Sequence, residues 1–392
     1  MTVELSSSTN QPTALGRTRM LALASAVALA ISAALGSSTS VAATGSVYWD
    51  VNGNAAAGNA LFNGTFTGIG NVGLGSTVMP ALTTGSYNVS TGQAALISNT
   101  TGHSNVATGA LALSNNTTGI RNVATGRLAL NVNSTGSDNV AIGTNALTSN
   151  TNGDDNVATG HEALASNNTG IQNVATGTQA LLANTIGTDN VATGFYALHD
   201  NTTGGGNTAS GSYALLFNST GFNNVATGTD ALYSNSSGSW NVASGTNALL
   251  SNSSGRENVA TGASALQDNT TGSANVAIGT NAGKNLTTGK SNIDIANPGV
   301  AGESGRIRIG TAADQKATFI AGISGASVSA NAKPVLVSPN GKLGTAPASN
   351  EVETELATTV ERLAAQVARQ QSENARQQGQ IARLREQLQR GG

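Results

Sequence analysis

The chain has 392 residues, 18 Lys and Arg against 20 Asp and Glu for a net charge of −2, 49 glycines, 3% aromatic residues and no cysteine. Near-neutral charge gives no electrostatic case for nucleic acid or an acidic membrane, and the lack of Cys excludes disulfides and thiolate metal sites. The length suits two or three globular domains, but with only 10% charged residues and so few aromatics the composition calls instead for a thin or shared interior.

At the N-terminus, Arg17 and Arg19 precede an apolar run from Met20 to Leu35, and small residues follow through Ser40-Val41-Ala42-Ala43. A charged start, an apolar stretch and a small-residue site predict a signal peptide over 1–42, cleaved after Ala42 or Ala43. The run is shorter than the roughly 20 residues that span a bilayer. The expectation is therefore a secreted or cell-surface protein with no integral membrane anchor. Residues 43–53 read as an N-terminal cap.

From residue 54 to 296 the sequence repeats. Asn recurs every 17 residues from Asn54 to Asn292, fifteen copies without an insertion. The unit reads N-V-A-T-G-x-x-A-L-x-x-N-x-T-G-x-x, as in Asn122 to Asp138. A strict period means one coil stacked on the last, so this is a parallel β-solenoid in an all-β chain. Each place of the repeat then forms a row along the stack. Identical amides stacked about 4.8 Å apart can bond one another and the turn backbone. That predicts a structural ladder of Asn88, Asn105, Asn122, Asn139, Asn156, Asn173, Asn190, Asn207, Asn224, Asn241, Asn258 and Asn275. Place four is mostly Thr but is Leu74, Ile142 and Ile278 in three copies. This exchange suggests that places two and four face the interior, with Ala and Leu of places eight and nine as the opposite wall. The two Gly rows, places five and fifteen, mark the corners. The segment A-L-x-x-N fits a short strand or one helical turn. Few bulky apolar groups per coil predict a second buried surface between chains, hence a homo-oligomer.

Residues 297–349 read as a small β module. Gly305 to Thr311 and Ala317 to Ile323 resemble short strands with Gly turns, and Lys333 to Gly344 resembles a hairpin around Asn340-Gly341. From Asn350 to Arg390 the composition turns to Ala, Glu, Gln, Arg and Leu. Leu356, Val360, Leu363, Val367, Asn374, Ile381, Leu384 and Leu388 are spaced as the core of an α-helical coiled coil. Val and Ile at a with Leu at d more often favour two strands. Arg362, Arg369, Arg376, Arg383 and Arg390 share one outward position.

No enzyme is expected, because no nucleophile, base and orienting group recur together. His103, His161 and His199 fall at three different places of the repeat, so neither a metal nor another cofactor is expected. The sequons at Asn99 and Asn116 follow automatically from the repeat.

The repeat N-V-A-[TI]-G-x-x-A-L resembles the heads of trimeric autotransporter adhesins, the YadA-like left-handed parallel β-rolls. The longer form with A-L-x-x-N-T-T-G is similar to tail-fibre-like repeat proteins. The stretch from Arg306 to Gly344 resembles the region before the chaperone domain of phage tail spikes. The resemblance implies a trimer. After Leu343-Gly344-Thr345 the chain passes to Ser349-Asn350 and the heptads, so the chaperone domain is not expected, and no alternating apolar strands follow up to Gly391-Gly392, so the autotransporter anchor is not expected either. The functional expectation is an exported adhesin-like fibre presenting a rigid rod to a host, cell-surface or matrix ligand. Phe195, Tyr196, Tyr213, Phe222, Tyr233 and Trp240, at variable places in the middle coils, are its candidate contact residues. The alternatives are a purely structural fibre or spacer, and an ice-binding solenoid with the place-four Thr row as its face. A buried Thr row and the lack of a second flanking Thr count against the last.

Overall fold

The computed structural model describes residues 46–62, 64–320, 334–339, 341–345 and 350–390. The expected signal peptide, the first residues of the cap, and the ends of two predicted strands (321–323 and Lys333) lie outside them. The chain divides into two units, one ending at Lys316 and the other beginning at Ala317.

The first unit is a parallel β-solenoid, and its described residues form one 17-stranded sheet. Strand β1 (Ser46–Trp49) pairs antiparallel with β2 (Ala55–Asn59). From β2 on, every pairing is parallel, and each step between the fifteen coils is one repeat long, as in Val123 opposite Val140. After β3 (Val72–Ser76) the strands shrink to three residues, from Val89–Thr91 to Ile293–Ile295. The repeat phase ends at Ala296, but the ladder does not. Ile307–Ile309 joins as a further parallel strand, Ile307 opposite Ile293 after a shorter step. Of the predicted strand over Ala317 to Ile323, residues 317–320 are not strand.

The interior is thin and repeats with the coil. Ala of place three, Ala of place eight and Leu of place nine are fully buried, in one cluster running from Met79 to Leu286. The expectation for places two and four is corrected: they face outward. Ile142 is 44% exposed and Ile278 45%. A three-residue strand has alternating sides, and the single inward slot goes to Ala, which fits the narrow gap against the Leu wall.

The A-L-x-x-N segment is neither strand nor helical turn. It is a succession of turns in which place nine, like place seven just before the segment, is left-handed, as at Leu130 (φ 49°) and Leu128 (φ 61°). Such residues cost about 1–2 kcal/mol each, yet the neighbouring coils hold them, place seven from the coil before, as Leu128 N–H donates to Ala110 O at 3.0 Å, and place nine from the next. Leu130 N–H donates to Ala146 O at 3.0 Å, and Val132 N–H to Thr148 O at 3.0 Å. Of the glycine corners, place five has φ near +136°, as at Gly109, where a Cβ would stand 2.5 Å from Gly126 O.

The two ends of the core differ. At the start, the Phe62 and Phe66 rings, 5.0 Å apart, pack on the core beside Tyr48, and β1 covers the edge of β2, an edge that would otherwise offer unpaired backbone groups. At the far end Asp294 occupies place three, where almost every other coil has Ala.

In the second unit, Val335–Val337 and Leu343–Thr345 form the expected antiparallel hairpin, with Gly341 at φ 80° in its turn. Helix α1 (Asn350–Arg390) has 41 residues of mainly strong helix formers.

Candidate binding surface

The Asn ladder is present along the whole stack, and every member is fully buried. At Asn122, both backbone N–H and side-chain Nδ2 donate to Asn105 Oδ1, at 3.0 and 3.2 Å. Nδ2 also donates to Gly136 O at 2.8 Å. A second ladder runs through place twelve. Asn133 Nδ2 donates to Asn116 Oδ1 at 2.8 Å and to the same Gly136 O at 2.9 Å. Two amide rows thus converge on one row of glycine carbonyls and use both acceptor sites of each. The second row runs from Asn99 to Asn269 and is bounded in sequence by Leu82 and Leu286. Leu286 offers no amide donor, so Asn269 Oδ1 lacks a partner. Because Asn99 and Asn116 are buried in this row, their sequons present no accessible amide.

These interior rows define a scaffold, and the outward places carry the variation. Places two and four hold no charged residue in any of the fifteen copies, which makes an uncharged Val and Thr face along the sheet. Places six, seven, ten, eleven, sixteen and seventeen carry the charges, amides and aromatics of the solenoid wall.

The aromatics are not scattered. Between Tyr87 and Phe319 every Phe, Tyr and Trp lies within residues 195–240. The turn geometry brings places six, seven and ten onto one wall. Tyr196 stacks on His199 with centroids 4.7 Å apart and planes 11° apart. Tyr213 meets Phe195 edge-on at 5.4 Å and Tyr196 at 5.8 Å. Phe217, absent from the predicted set, holds Tyr233 edge-on at 5.1 Å. Phe222 and Trp240 pair with each other at 4.7 Å on places sixteen and seventeen, so the predicted set divides between two parts of the coil. On the first wall, Tyr213, Asp230, Tyr233, Ser234 and Leu250 line a shallow cleft of about 480 Å³. Proximity of places seven and ten could not be read from spacing alone, because it depends on the left-handed turn between them.

The described ionisable groups cluster little. Arg121 and Asp138, both at place seventeen, form a two-bonded ion pair at 2.6 Å. The Arg121 guanidinium holds Asp138 below the usual carboxylate range. Among the described residues, no group of three or more His, Asp or Glu side chains is placed to hold a metal.

At the far end of the solenoid, Asp294 is fully buried, and neither carboxyl oxygen has a hydrogen-bond partner. Gly299 and Gly283 leave it room; a Cβ on Gly299 would stand 2.9 Å from Oδ2. Arg308 lies opposite it across the ladder but turns its guanidinium to Glu303, at 2.8 and 2.6 Å. Burial first, then the Glu303 charge, pushes Asp294 up to about 6, against a smaller opposing pull from Arg308.

On α1, the predicted core residues form an apolar stripe that is exposed along its length, Leu363 at 54% and Leu388 at 78%. Asn374 interrupts it as a polar position. No helix among the described residues is long and apolar enough to cross a membrane. Comparison of the chain with protein-family models, curated proteins and solved structures finds no match.

Proposed function

We propose that this chain is an exported, non-enzymatic fibrous surface protein of adhesin type. In this reading the solenoid is a rigid rod that presents its outward rows to a cell-surface or matrix ligand, and α1 gathers several copies, three by resemblance, into one fibre. The observation that carries it is the confinement of the solenoid's mid-length aromatics to residues 195–240, on outward places. Exposed aromatic clusters mark contact surfaces, because Tyr and Trp bring large area at low entropic cost. The interior is occupied by Ala, Leu and Asn, which leaves the variable wall as the part free to specify a partner. The test coats beads with the full chain and measures their retention on cultured cells and matrix-coated plates. Retention above uncoated beads is expected; a protein retained on no surface is a spacer, and the adhesin reading falls.

One observation favours a second reading. The place-four Thr row faces water beside the Val row, so burial no longer counts against ice binding. An uncharged array of hydroxyl and methyl groups about 4.8 Å apart along the stack is suited to ordering water. Thermal hysteresis of the purified chain decides it, and a freezing point equal to the melting point retires the idea.

A further inference from the structure

We propose that the cleft between the coils starting at Asn207, Asn224 and Asn241 is a binding site for a neutral saccharide. The assignment rests on the adhesin reading and names the ligand class of its contact surface.

Saccharide rings have an apolar face of C–H groups and a rim of hydroxyls. Recognition needs an aromatic surface fixed in place, with hydrogen-bonding groups beside it. Tyr213 and Tyr233 supply the surface. Each is held on one side by another ring, Tyr213 by Phe195 at 5.4 Å and near 90°, Tyr233 by Phe217 at 5.1 Å and 89°. The rings are therefore ordered before any ligand arrives, which removes part of the entropic cost of binding. The backbone beneath is equally fixed, since Tyr213 and Asp230 are left-handed at φ 59° and 56° and each donates its N–H to the coil before, Tyr213 to Phe195 O and Asp230 to Ser212 O.

The rim is polar and unspent. Among the described residues, no protein group hydrogen-bonds the Asp230 carboxylate, the two phenolic hydroxyls or the Ser234 hydroxyl. A carboxylate accepts from two adjacent sugar hydroxyls, while Ser and Tyr hydroxyls both donate and accept. Leu250 adds apolar surface to the lining. The half-buried Asp230 also selects by charge: acidic sugars are repelled there, which is why the ligand is assigned as neutral. An isolated cation would be drawn by the same carboxylate and rings, so the test must separate the two.

The test probes the full chain against an array of neutral oligosaccharides of glucose, galactose, mannose and N-acetylglucosamine, with acidic sugars and choline-bearing spots alongside. The variants are Tyr213→Ala with Tyr233→Ala, Asp230→Asn, and, away from the cleft, Phe222→Ala with Trp240→Ala. All replace outward side chains, and an unchanged melting profile verifies that each is folded. Neutral-sugar binding that falls at least tenfold in the double Tyr variant and in Asp230→Asn, and holds in Phe222→Ala with Trp240→Ala, is the expected result. Binding confined to choline and abolished by salt overturns the saccharide assignment. So does cell retention without any sugar binding, or sugar binding indifferent to the cleft variants; either leaves the adhesin reading standing. Loss of cell retention and sugar binding together in the unaltered chain removes both.

Discussion

Asn173 shows what one residue does in this protein. Its Oδ1 accepts the backbone N–H and Nδ2 of Asn190, both at 3.1 Å, while its own Nδ2 reaches Asn156 Oδ1 at 3.1 Å and Gly187 O at 2.9 Å. Asn173→Ala therefore strands the buried backbone N–H and one Nδ2 hydrogen of Asn190, at about 1–3 kcal/mol for each group left unsatisfied, while Asn156 Oδ1 keeps the backbone N–H of residue 173 and Gly187 O keeps Asn184 Nδ2. The urea midpoint should drop by several-fold more than for Thr176→Val, on an exposed place where effects are about 0.5 kcal/mol or less. Equal midpoints would mean that backbone pairing alone carries the stack. Asp294 makes the opposite case, a residue that opposes its own setting. Its folded pKa, about 6, lies above the ordinary 3.8, so its contribution favours folding most below pH 4 and is lost as the pH rises through 6. Glu303 adds to that loss by repulsion, and Arg308 offsets part of it by attraction. Between pH 4 and 7 the end coils should loosen, seen as a falling protection factor at the amides of Ile307–Ile309 once the intrinsic base-catalysed exchange rate is divided out. In Asp294→Ala, which restores the Ala row, that pH dependence should disappear; a pH dependence retained in the variant would shift the cause to Glu303.

A coil is the element that matters next, and its corners are its least tolerant part. Gly109, at φ +136° and with no space for a Cβ before Gly126 O, needs both the conformation and the closeness that only Gly allows. Gly109→Ala should lower the unfolding midpoint well beyond the 0.5–1 kcal/mol of an ordinary Gly exchange, because the clash is with backbone that cannot turn aside. A midpoint within that range would show that the stack can shift there. The Gly rows, the Asn rows and the Leu wall were legible in the sequence, since a strict period turns each place into a row and leaves few chemical reasons for an invariant amide. The direction of the strand was not. Ile142 and Ile278 look like core residues, and Ala looks like filler, until the thinness of the coil makes Ala the residue that fits inside. The aromatic wall was legible in outline only. Spacing gathers its members into neighbouring coils, but whether Tyr213 meets Phe195 or Trp240 depends on left-handed turns at non-glycine residues, which no propensity announces. The heptads of α1 gave the helix directly, because 41 residues of good helix formers leave no competing period.

Across the whole molecule, two unpartnered surfaces bear on assembly, and they make different demands. The stripe from Leu356 to Leu388 is apolar but for its middle around Asn374, and exposed, and water is a poor neighbour for it. The Val and Thr face of the solenoid is uncharged but half polar, and water can cover it. Assembly is therefore expected to start from α1, with three chains by the resemblance of the repeat and two by the preference of Val and Ile at a with Leu at d. Light scattering on a sizing column should give the full chain a mass that is a multiple of its own, and raised salt should leave that mass unchanged, because an apolar seam is not screened. Replacing Leu363 and Leu384 by Asp buries charge at two levels of the seam, and the product should be a monomer with an unaltered solenoid by circular dichroism. If the variant keeps its multiple mass, the partner surface is the Val and Thr face; that face would then be covered in the fibre, and ice binding would have no surface left. A wild-type monomer would remove self-association altogether and leave the outward wall of a single rod as the place where this chain meets its ligand.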